Sequence, residues 1–207
     1  MTIDRMKVPL AEAGMRIGLF GGSFNPPHEG HRLVALQCLK RLQLDRVWIL
    51  VSPGNPLKDH AELAPLETRL AQTAKVMDDP RLQVTAFEAP LHFTYTSQTI
   101  AYLHETHPKV HFVWIMGADS LMSFDHWENW ETIAASVPMA IYARPGSALR
   151  ATRSPAATAL AQARLPEDRA PALADTPAPA WVYLRGVMST ASSTAIRQAR
   201  AKTAATQ

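Results

Sequence analysis

The sequence predicts an α/β fold, because short apolar runs alternate with stretches of helical periodicity. The first unit reads strand, helix, strand: an apolar run at Ile17 to Phe20, apolar residues at helical spacing from Leu33 to Leu42, and a β-branched run at Arg46 to Val51. Two such strands joined through a helix form a parallel pair with a right-handed crossover. We therefore expect a Rossmann-like, three-layer α/β/α fold with a mostly parallel sheet and a small C-terminal helical part.

The later elements continue this alternation. Period-2 or continuous apolar runs predict four more strands, at Arg81 to Phe87, Val110 to Met116, Met139 to Ala143 and Trp181 to Leu184. Helices are predicted at Pro65 to Met77, at Thr96 to His104 and after Ser192. The segment from Ser147 to Ala180 is rich in Ala and Pro, and we expect a linker or a pair of surface helices there.

Length and composition favour one domain. A chain of 207 residues that is 47% hydrophobic is long enough to bury a substantial core. The first 14 residues mix charged and apolar residues, so we expect residues 1–14 to be a loose extension and residues 15–207 to form the domain. No stretch resembles a secretion signal or a membrane span, which favours a cytoplasmic protein without a membrane partner.

Cysteine content and charge narrow the functional classes. The only cysteine, Cys38, falls in the apolar pattern of the first helix, so neither a disulfide framework nor a cysteine metal cluster is available. The net charge is +3, and the basic residues are concentrated late, with nine Lys or Arg against three acids from Arg144 onward. That excess either covers a polyphosphate or forms an ordinary solvated face, and charge alone favours the second interpretation.

A glycine turn after the first strand is the first candidate for chemistry. The strand stops at Gly21-Gly22, where the chain can adopt conformations closed to other residues. A helix then begins near Gly30, and its N–H groups converge with His28 and His31 on a small volume. Such a cluster of donors suits an anionic phosphate, whereas the plainer interpretation is a turn with two surface histidines.

A second candidate anion site lies near the C-terminus. Ser192-Ser-Thr194 would cap the N–H groups of a helix start, and Arg197, about one turn further, would offer a forked donor to a phosphate. An ordinary capped helix explains the same residues.

Three further positions each have two interpretations. Lys58, in the loop after the second strand, either reaches a phosphate or is a solvated lysine. Asp119, at the tip of a strand, either binds ribose hydroxyls or caps a helix that starts near Ser120. Trp127 and Trp130 fall on one predicted helix face, a pattern more typical of core than of a ligand platform.

Four motifs in order carry a family resemblance. His28-x-Gly-His31 resembles the (T/H)-x-G-H element of the nucleotidyltransferase superfamily. Thr94-Tyr-Thr-Ser-Gln-Thr99, the run Ile-Met-Gly-Ala-Asp-Ser-Leu followed by Trp127, and Ser192-Ser-Thr-Ala-Ile-Arg197 resemble segments of the bacterial nicotinate mononucleotide adenylyltransferases within it. Ala191 stands where that family usually has Ile, and Asn25 where it often has Asp.

The resemblance implies transfer of AMP from ATP to the 5′-phosphate of nicotinate mononucleotide by direct in-line displacement, with Mg²⁺ accompanying ATP. It implies three catalytic residues: His28, His31 and Arg197. ATP phosphates would meet Gly21, Gly22, Ser23, Phe24, Lys58, Ser192, Ser193 and Thr194. The mononucleotide would meet Thr94, Tyr95, Thr96, Asp119 and Trp127. No protein metal ligands are expected, and the acid is favoured over the amide substrate by analogy.

Other activities share parts of these motifs. An adenylyltransferase for another acceptor, such as pantetheine phosphate, has the histidine element, but the run from Gly117 to Trp127 argues against it. A class I aminoacyl-tRNA synthetase would need an anticodon module and a Lys-Met-Ser-Lys-Ser loop, so we expect no nucleic acid polymer as a partner. A nucleotide-binding regulator without turnover stays open, and no pattern points to an oligomeric state.

Overall fold

In the part of the chain that the structure describes, seven strands form one sheet at the centre of the molecule. The computed structural model describes residues 4–54, 63–143, 148–187, 189 and 191–204. The strands are β1 (Arg16–Gly22), β2 (Arg46–Val51), β3 (Leu82–Thr85), β4 (His111–Gly117), β5 (Met139–Tyr142), β6 (Arg164–Leu165) and β7 (Trp181–Leu184). Their spatial order is β3-β2-β1-β4-β5-β7-β6, and every neighbouring pair is parallel. The predicted α/β class is confirmed.

Helices cover both faces of this sheet. They are α1 (Glu29–Arg41), α2 (Leu66–Val76), α3 (Thr96–Thr106), α4 (Ala118–Leu121), α5 (Trp130–Ser136), α6 (Ala148–Ala151), α7 (Pro155–Ala159) and α8 (Ser193–Ala204). Among the described residues, 3₁₀ helices lie at Phe124–His126, Ala161–Ala163 and Glu167–Asp175. Within the described ranges, no helix is long and apolar enough to cross a bilayer.

Strand side chains point alternately into two cores, which gives the predicted three layers. On β1, Leu19 packs in the core beneath α3 to α7, whereas Phe20 packs in the core beneath α1 and α2. Helix α1 contributes an apolar stripe to the core that contains Phe20, and Cys38 belongs to this stripe. Burial raises the pKa of the Cys38 thiol to about 12. Cys38 is therefore an inert core residue, as its pattern predicted.

The Ala/Pro-rich segment contains a pair of helices, α6 and α7, as one of its two expectations had it, but it also enters the sheet and the core. It contributes the edge strand β6 and the 3₁₀ helix Glu167–Asp175, whose Leu173 is fully buried against the sheet. A strand of only two residues shows no periodicity, so the sequence pattern missed it. The guanidinium of Arg164 lies 5.1 Å from the ring of Trp181 and covers the start of β7.

Backbone contacts join the described part of the N-terminal segment to the edge of the sheet. The hydroxyl of Thr85 donates to the carbonyls of Arg5 (3.1 Å) and Lys7 (2.9 Å), and the N–H of Ala86 donates to Arg5 (2.8 Å). Met6 packs against the core. The division of the chain at residue 14 stays a prediction.

The strand order indicates at which end of the sheet a ligand would bind. The chain runs outward from β1 to β3 on one side and then returns to β4 on the other side of β1. In open parallel sheets, ligands bind at such a reversal, outside the carboxyl ends of the strands. The loops after β1 and β4 border that crevice.

Candidate active site

Two histidines form the cap of α1 at this end of the sheet. His28 is the N-cap residue, and its Nδ1 accepts a hydrogen bond from the N–H of Gly30 (3.1 Å). His31 Nδ1 accepts from the N–H of His28 (3.2 Å), and the two rings stack with centroids 3.8 Å apart. Because each Nδ1 accepts, the ring proton of each neutral imidazole is assigned to Nε2. The helix end therefore carries two imidazole N–H donors.

Gly30, between the two histidines, lies so close to the His28 ring that there is no room for a side chain. A Cβ at Gly30 would lie 2.9 Å from both Cε1 and Nδ1 of His28, which is closer than real Cβ atoms come to other atoms. Phe24 supports the second histidine from the other side: its ring is buried and lies 5.0 Å from the ring of His31, with the backbone in a left-handed conformation (φ 44°). Any phosphate contact of Phe24 would therefore be through its backbone.

The C-terminal helix α8 lies against the loop that precedes His28. Arg197 Nη1 donates to the carbonyl of Asn25 (2.7 Å), although the two residues are 172 positions apart in sequence. Ser193 Oγ donates to the carbonyl of Pro26 (2.9 Å). Ser192 Oγ caps the helix by accepting from the N–H of Ala195 (3.1 Å), and Thr194 is exposed on the first turn. The structure thus brings the two candidate anion sites together.

A cavity of about 300 Å³ opens beside this junction, at the carboxyl ends of β1 to β4. Seven residues predicted for the site line it: Gly21, Gly22, Ser23, Thr94, Tyr95, Thr96 and Trp127. Gln98, which sequence reasoning missed, holds part of its wall, because its Oε1 accepts from the N–H groups of Thr94 (2.9 Å) and Tyr95 (3.0 Å). Lys58 lies outside the described residues.

Trp127 stands half-buried in the cavity wall. Its ring meets Trp114 edge-on at 6.3 Å and Phe124 at 5.4 Å. The prediction that Trp127 and Trp130 share a helix face is wrong. The 3₁₀ helix Phe124–His126 ends before Trp127, Asn129 adopts a left-handed conformation (φ 56°), and α5 begins only at Trp130.

Asp119 lies at the carboxyl end of β4, as predicted, but it does not cap a helix. The N-cap of α4 is Gly117, so Asp119 falls inside the first turn. The negative charge of its carboxylate interacts favourably there with the positive end of the helix dipole. Its side chain is exposed, and the next residue, Ser120, lines the cavity.

Arg69 is a site residue that sequence reasoning missed. It is 1% exposed, and its guanidinium donates to four backbone carbonyls: Ala64 (2.8 Å), Ser23 (2.8 Å), Ser52 (2.7 Å) and Pro53 (3.1 Å). Burial lowers the pKa of Arg69. Because these carbonyls belong to the loops after β1 and β2, Arg69 fixes one wall of the cavity. The available signal was an arginine on the apolar stripe of α2, between Leu66 and Leu70.

Glu88 is the second missed residue. It lines the cavity, is 9% exposed, and accepts a hydrogen bond from the hydroxyl of buried Thr99 (2.6 Å) at Oε1. Burial raises the pKa of Glu88, against a smaller lowering by the hydrogen bond from Thr99. Thr99 is the last residue of the Thr94-Tyr-Thr-Ser-Gln-Thr99 segment, so this bond gives a structural reason for a hydroxyl there.

The chain is similar in sequence to known proteins over most of its length. A family model described as cytidylyltransferase-like matches residues 19–199. A probable nicotinate-nucleotide adenylyltransferase of a Bradyrhizobium strain is 55% identical over 183 residues, which cover 88% of this chain and 95% of that protein. A protein of the same name from Brucella abortus is 50% identical over 190 residues, covering 92% and 98%.

Among solved structures, the chain is similar in fold to a Plasmodium falciparum nicotinic acid mononucleotide adenylyltransferase complexed with NaAD. The TM-score is 0.67 at 15% identity, over 89% of this chain and 83% of that one. Identity at this level speaks for the fold alone, and that fold is the parallel α/β arrangement described above.

Proposed function

The chain belongs to the cytidylyltransferase-like family and, within it, to the nicotinate-nucleotide adenylyltransferases, and we propose that its site transfers AMP from ATP to nicotinate mononucleotide. The products are nicotinate adenine dinucleotide and pyrophosphate. The observation that supports this most strongly is the contact of Arg197 and Ser193 with the Asn25-Pro26 loop, because it sets a guanidinium and a capped helix beside the paired histidines.

The donors around this junction are suited to a triphosphate. Nε2 of His31 would meet the reacting α-phosphate, and Nε2 of His28 a neighbouring oxygen. Backbone N–H groups from Gly21 to Phe24 would cradle the phosphates. The start of α8, with Ser192, Ser193, Thr194 and Arg197, would hold the β- and γ-phosphates, and Lys58 is a further candidate contact.

The reaction that fits these donors is a direct displacement. A phosphate oxygen of the mononucleotide attacks the α-phosphorus of ATP, a new P–O bond forms, and the bond to the bridging oxygen breaks so that pyrophosphate leaves. No covalent intermediate on the protein is needed. Catalysis then depends on holding two anions together and on stabilising the charge that builds on the α-phosphate and the leaving group.

Mg²⁺ is expected to enter with ATP. No group of three or more His, Cys, Asp or Glu is placed to hold a metal ion in the described ranges, and the imidazole and guanidinium donors suit phosphate oxygens better than a hard cation. Mg²⁺ bound with ATP would neutralise part of the charge on the phosphates, beside the donors of His28, His31 and Arg197.

The cavity is the proposed acceptor site. Trp127 offers a ring face for the pyridine, and the Thr94 to Thr96 segment, fixed by Gln98, offers side-chain hydroxyl groups to its substituents. Asp119 is the candidate ligand of ribose hydroxyls. The donor is ATP, so we expect the reaction to take place in the cytoplasm.

Pyrophosphate release and dinucleotide formation test this function together. We expect the protein to form dinucleotide from ATP and nicotinate mononucleotide, less efficiently from nicotinamide mononucleotide, and to release no pyrophosphate with pantetheine phosphate. Turnover of pantetheine phosphate alone would assign a different acceptor. Nucleotide binding without any pyrophosphate release would identify a regulator instead.

A further inference from the structure

Glu88 is a buried carboxyl that the proposed displacement does not use. Thr99 occupies its Oε1, whereas its Oε2 has no hydrogen-bond partner among the residues that the structure describes. Glu88 also forms no salt bridge with any of those residues. Glu88 is 9% exposed and faces the cavity, and charging a carboxyl in such a largely buried position with no cation beside it is costly, so its place in the cavity wall calls for an explanation from the ligand.

The described residues of the surrounding wall do not supply that cation. The other ionisable residues that line the cavity are Tyr95, His126 and Glu128, and neither Lys nor Arg is among the described lining residues. The one basic group, His126, is 72% exposed and lies 3.6 Å from the carboxylate of Asp125 (Nε2 to Oδ2). Among the residues that the structure describes, the cavity wall is therefore acidic, in contrast to the start of α8 with Arg197.

An acidic wall is complementary to a positively charged ring. The pyridine nitrogen of nicotinate mononucleotide is bonded to ribose, so the ring carries a fixed positive charge, and the amide analogue carries the same charge. We propose that Glu88 is a specificity-determining residue that, as a carboxylate, binds the pyridinium ring of the acceptor while Trp127 covers the face of that ring. This inference rests on the proposed function, because it assigns a role within the same acceptor site.

The assignment predicts the direction of proton movement. Burial raises the pKa of Glu88 in the free protein. A cation placed beside the carboxyl favours its charged form and lowers the pKa again, so binding releases a proton at any pH between the two values. The opposing arrangement, in which protonated Glu88 donates to the ring carboxylate of the substrate, retains or takes up a proton.

Calorimetric titration of nicotinate mononucleotide, with a non-hydrolysable ATP analogue present, measures this proton. Repeating it in buffers of different ionisation enthalpy, from acidic to neutral pH, gives the number of protons released. Glu88→Gln keeps the size of the side chain and an acceptor for Thr99, so its titration gives the contribution of every other group, including the substrate phosphate. We expect the wild type to release more protons than Glu88→Gln.

Steady-state kinetics test the same residue. We expect Glu88→Gln to raise KM for nicotinate mononucleotide about tenfold, with KM for ATP changed less than about twofold. The ratio of acid to amide efficiency should stay the same or rise, because Glu88 repels the ring carboxylate of the acid and the variant loses that repulsion. The matched control is Glu131→Gln, which removes the same charge from an exposed position on α5 and should leave both KM values unchanged.

Several results would overturn the inference. They are equal proton release by wild type and Glu88→Gln, a KM change no larger than that of Glu131→Gln, or a lowered acid-to-amide ratio. If Glu88→Gln does not fold, the wild type decides: near neutral pH it should bind nicotinamide mononucleotide about tenfold more tightly than the reduced, uncharged dihydropyridine form, and equal affinity would contradict us. Failure of the wild type to form any dinucleotide would instead refute the proposed function.

Discussion

At the scale of single residues, His31 is the position where function and stability separate most clearly. His31→Ala removes a donor aimed at developing charge, so we expect kcat to fall about a hundredfold or more at saturating ATP. The lost bond to the N–H of His28 should lower the free energy of unfolding by only about 1 kcal/mol. Arg32→Ala, which changes a neighbour that pairs with Asp78 (2.7 Å), is the control and should keep its kcat. Near-normal turnover of His31→Ala would remove His31 from the mechanism.

Trp127 is expected to act on the acceptor alone. Its ring stands in the cavity wall against Trp114 and Phe124, so Trp127→Ala should raise KM for nicotinate mononucleotide more than KM for ATP. Trp127→Phe keeps an aromatic face, so its KM for nicotinate mononucleotide should lie between those of the wild type and Trp127→Ala. Steady-state kinetics with each substrate varied in turn make the comparison, and an unchanged acceptor KM would make Trp127 a core residue.

The buried carboxyl of Glu88 should also make the free energy of unfolding depend on pH. Its pKa is raised in the folded state, mainly by burial, so the folded protein binds more protons than the unfolded chain between the ordinary pKa of glutamate and the raised value. The free energy of unfolding should therefore fall as pH rises through that interval. Urea unfolding of the unliganded protein at a series of pH values measures this fall, and Glu88→Gln should reduce it. An identical pH dependence in the variant would contradict the raised pKa.

At the scale of elements, Arg69 joins α2 to the loops that form the cavity. Lysine is a compact point charge and cannot reach four carbonyls in the planar arrangement of a guanidinium. We expect Arg69→Lys to lower the free energy of unfolding by about 3 kcal/mol, because buried carbonyls lose charge-assisted partners. Chemical denaturation makes the measurement. The control is Lys75→Arg, on the same helix but facing outward, which should change the free energy of unfolding little. A similarly small loss for Arg69→Lys would show that the loops are stable without the guanidinium of Arg69.

The elements also show what local patterns can predict. Strands β2 and β7 begin and end where the apolar runs do, because strand periodicity is a property of neighbouring residues. The two-residue β6 and the break between Trp127 and Trp130 were missed, since the first is too short for a period and the second depends on one left-handed asparagine. Gln98 was missed although its partners, Thr94 and Tyr95, are local in sequence. Arg69 and Glu88 were missed for a different reason. The partners of Arg69 and Glu88 include backbone carbonyls and a hydroxyl brought together only by the fold.

At the scale of the whole molecule, the parallel sheet connects distant motifs. The histidine element follows β1 and the serine-arginine element begins α8, and the sequence alone gave each of them an ordinary structural alternative. Their juxtaposition was expected only from the family resemblance, because no local pattern specifies which loops meet over a sheet edge. In the folded chain, the Asn25 and Pro26 carbonyls accept hydrogen bonds from α8 directly beside His28.

The central claim is that the His28 and His31 cap and the start of α8 bind the same triphosphate. A crystal structure with a non-hydrolysable ATP analogue tests this most directly. We predict that the triphosphate lies between α1 and α8, with Nε2 of His31 and the guanidinium of Arg197 both within hydrogen-bond distance of its oxygens. A triphosphate bound elsewhere, or one that contacts the histidines while Arg197 stays remote from it, would contradict the claim.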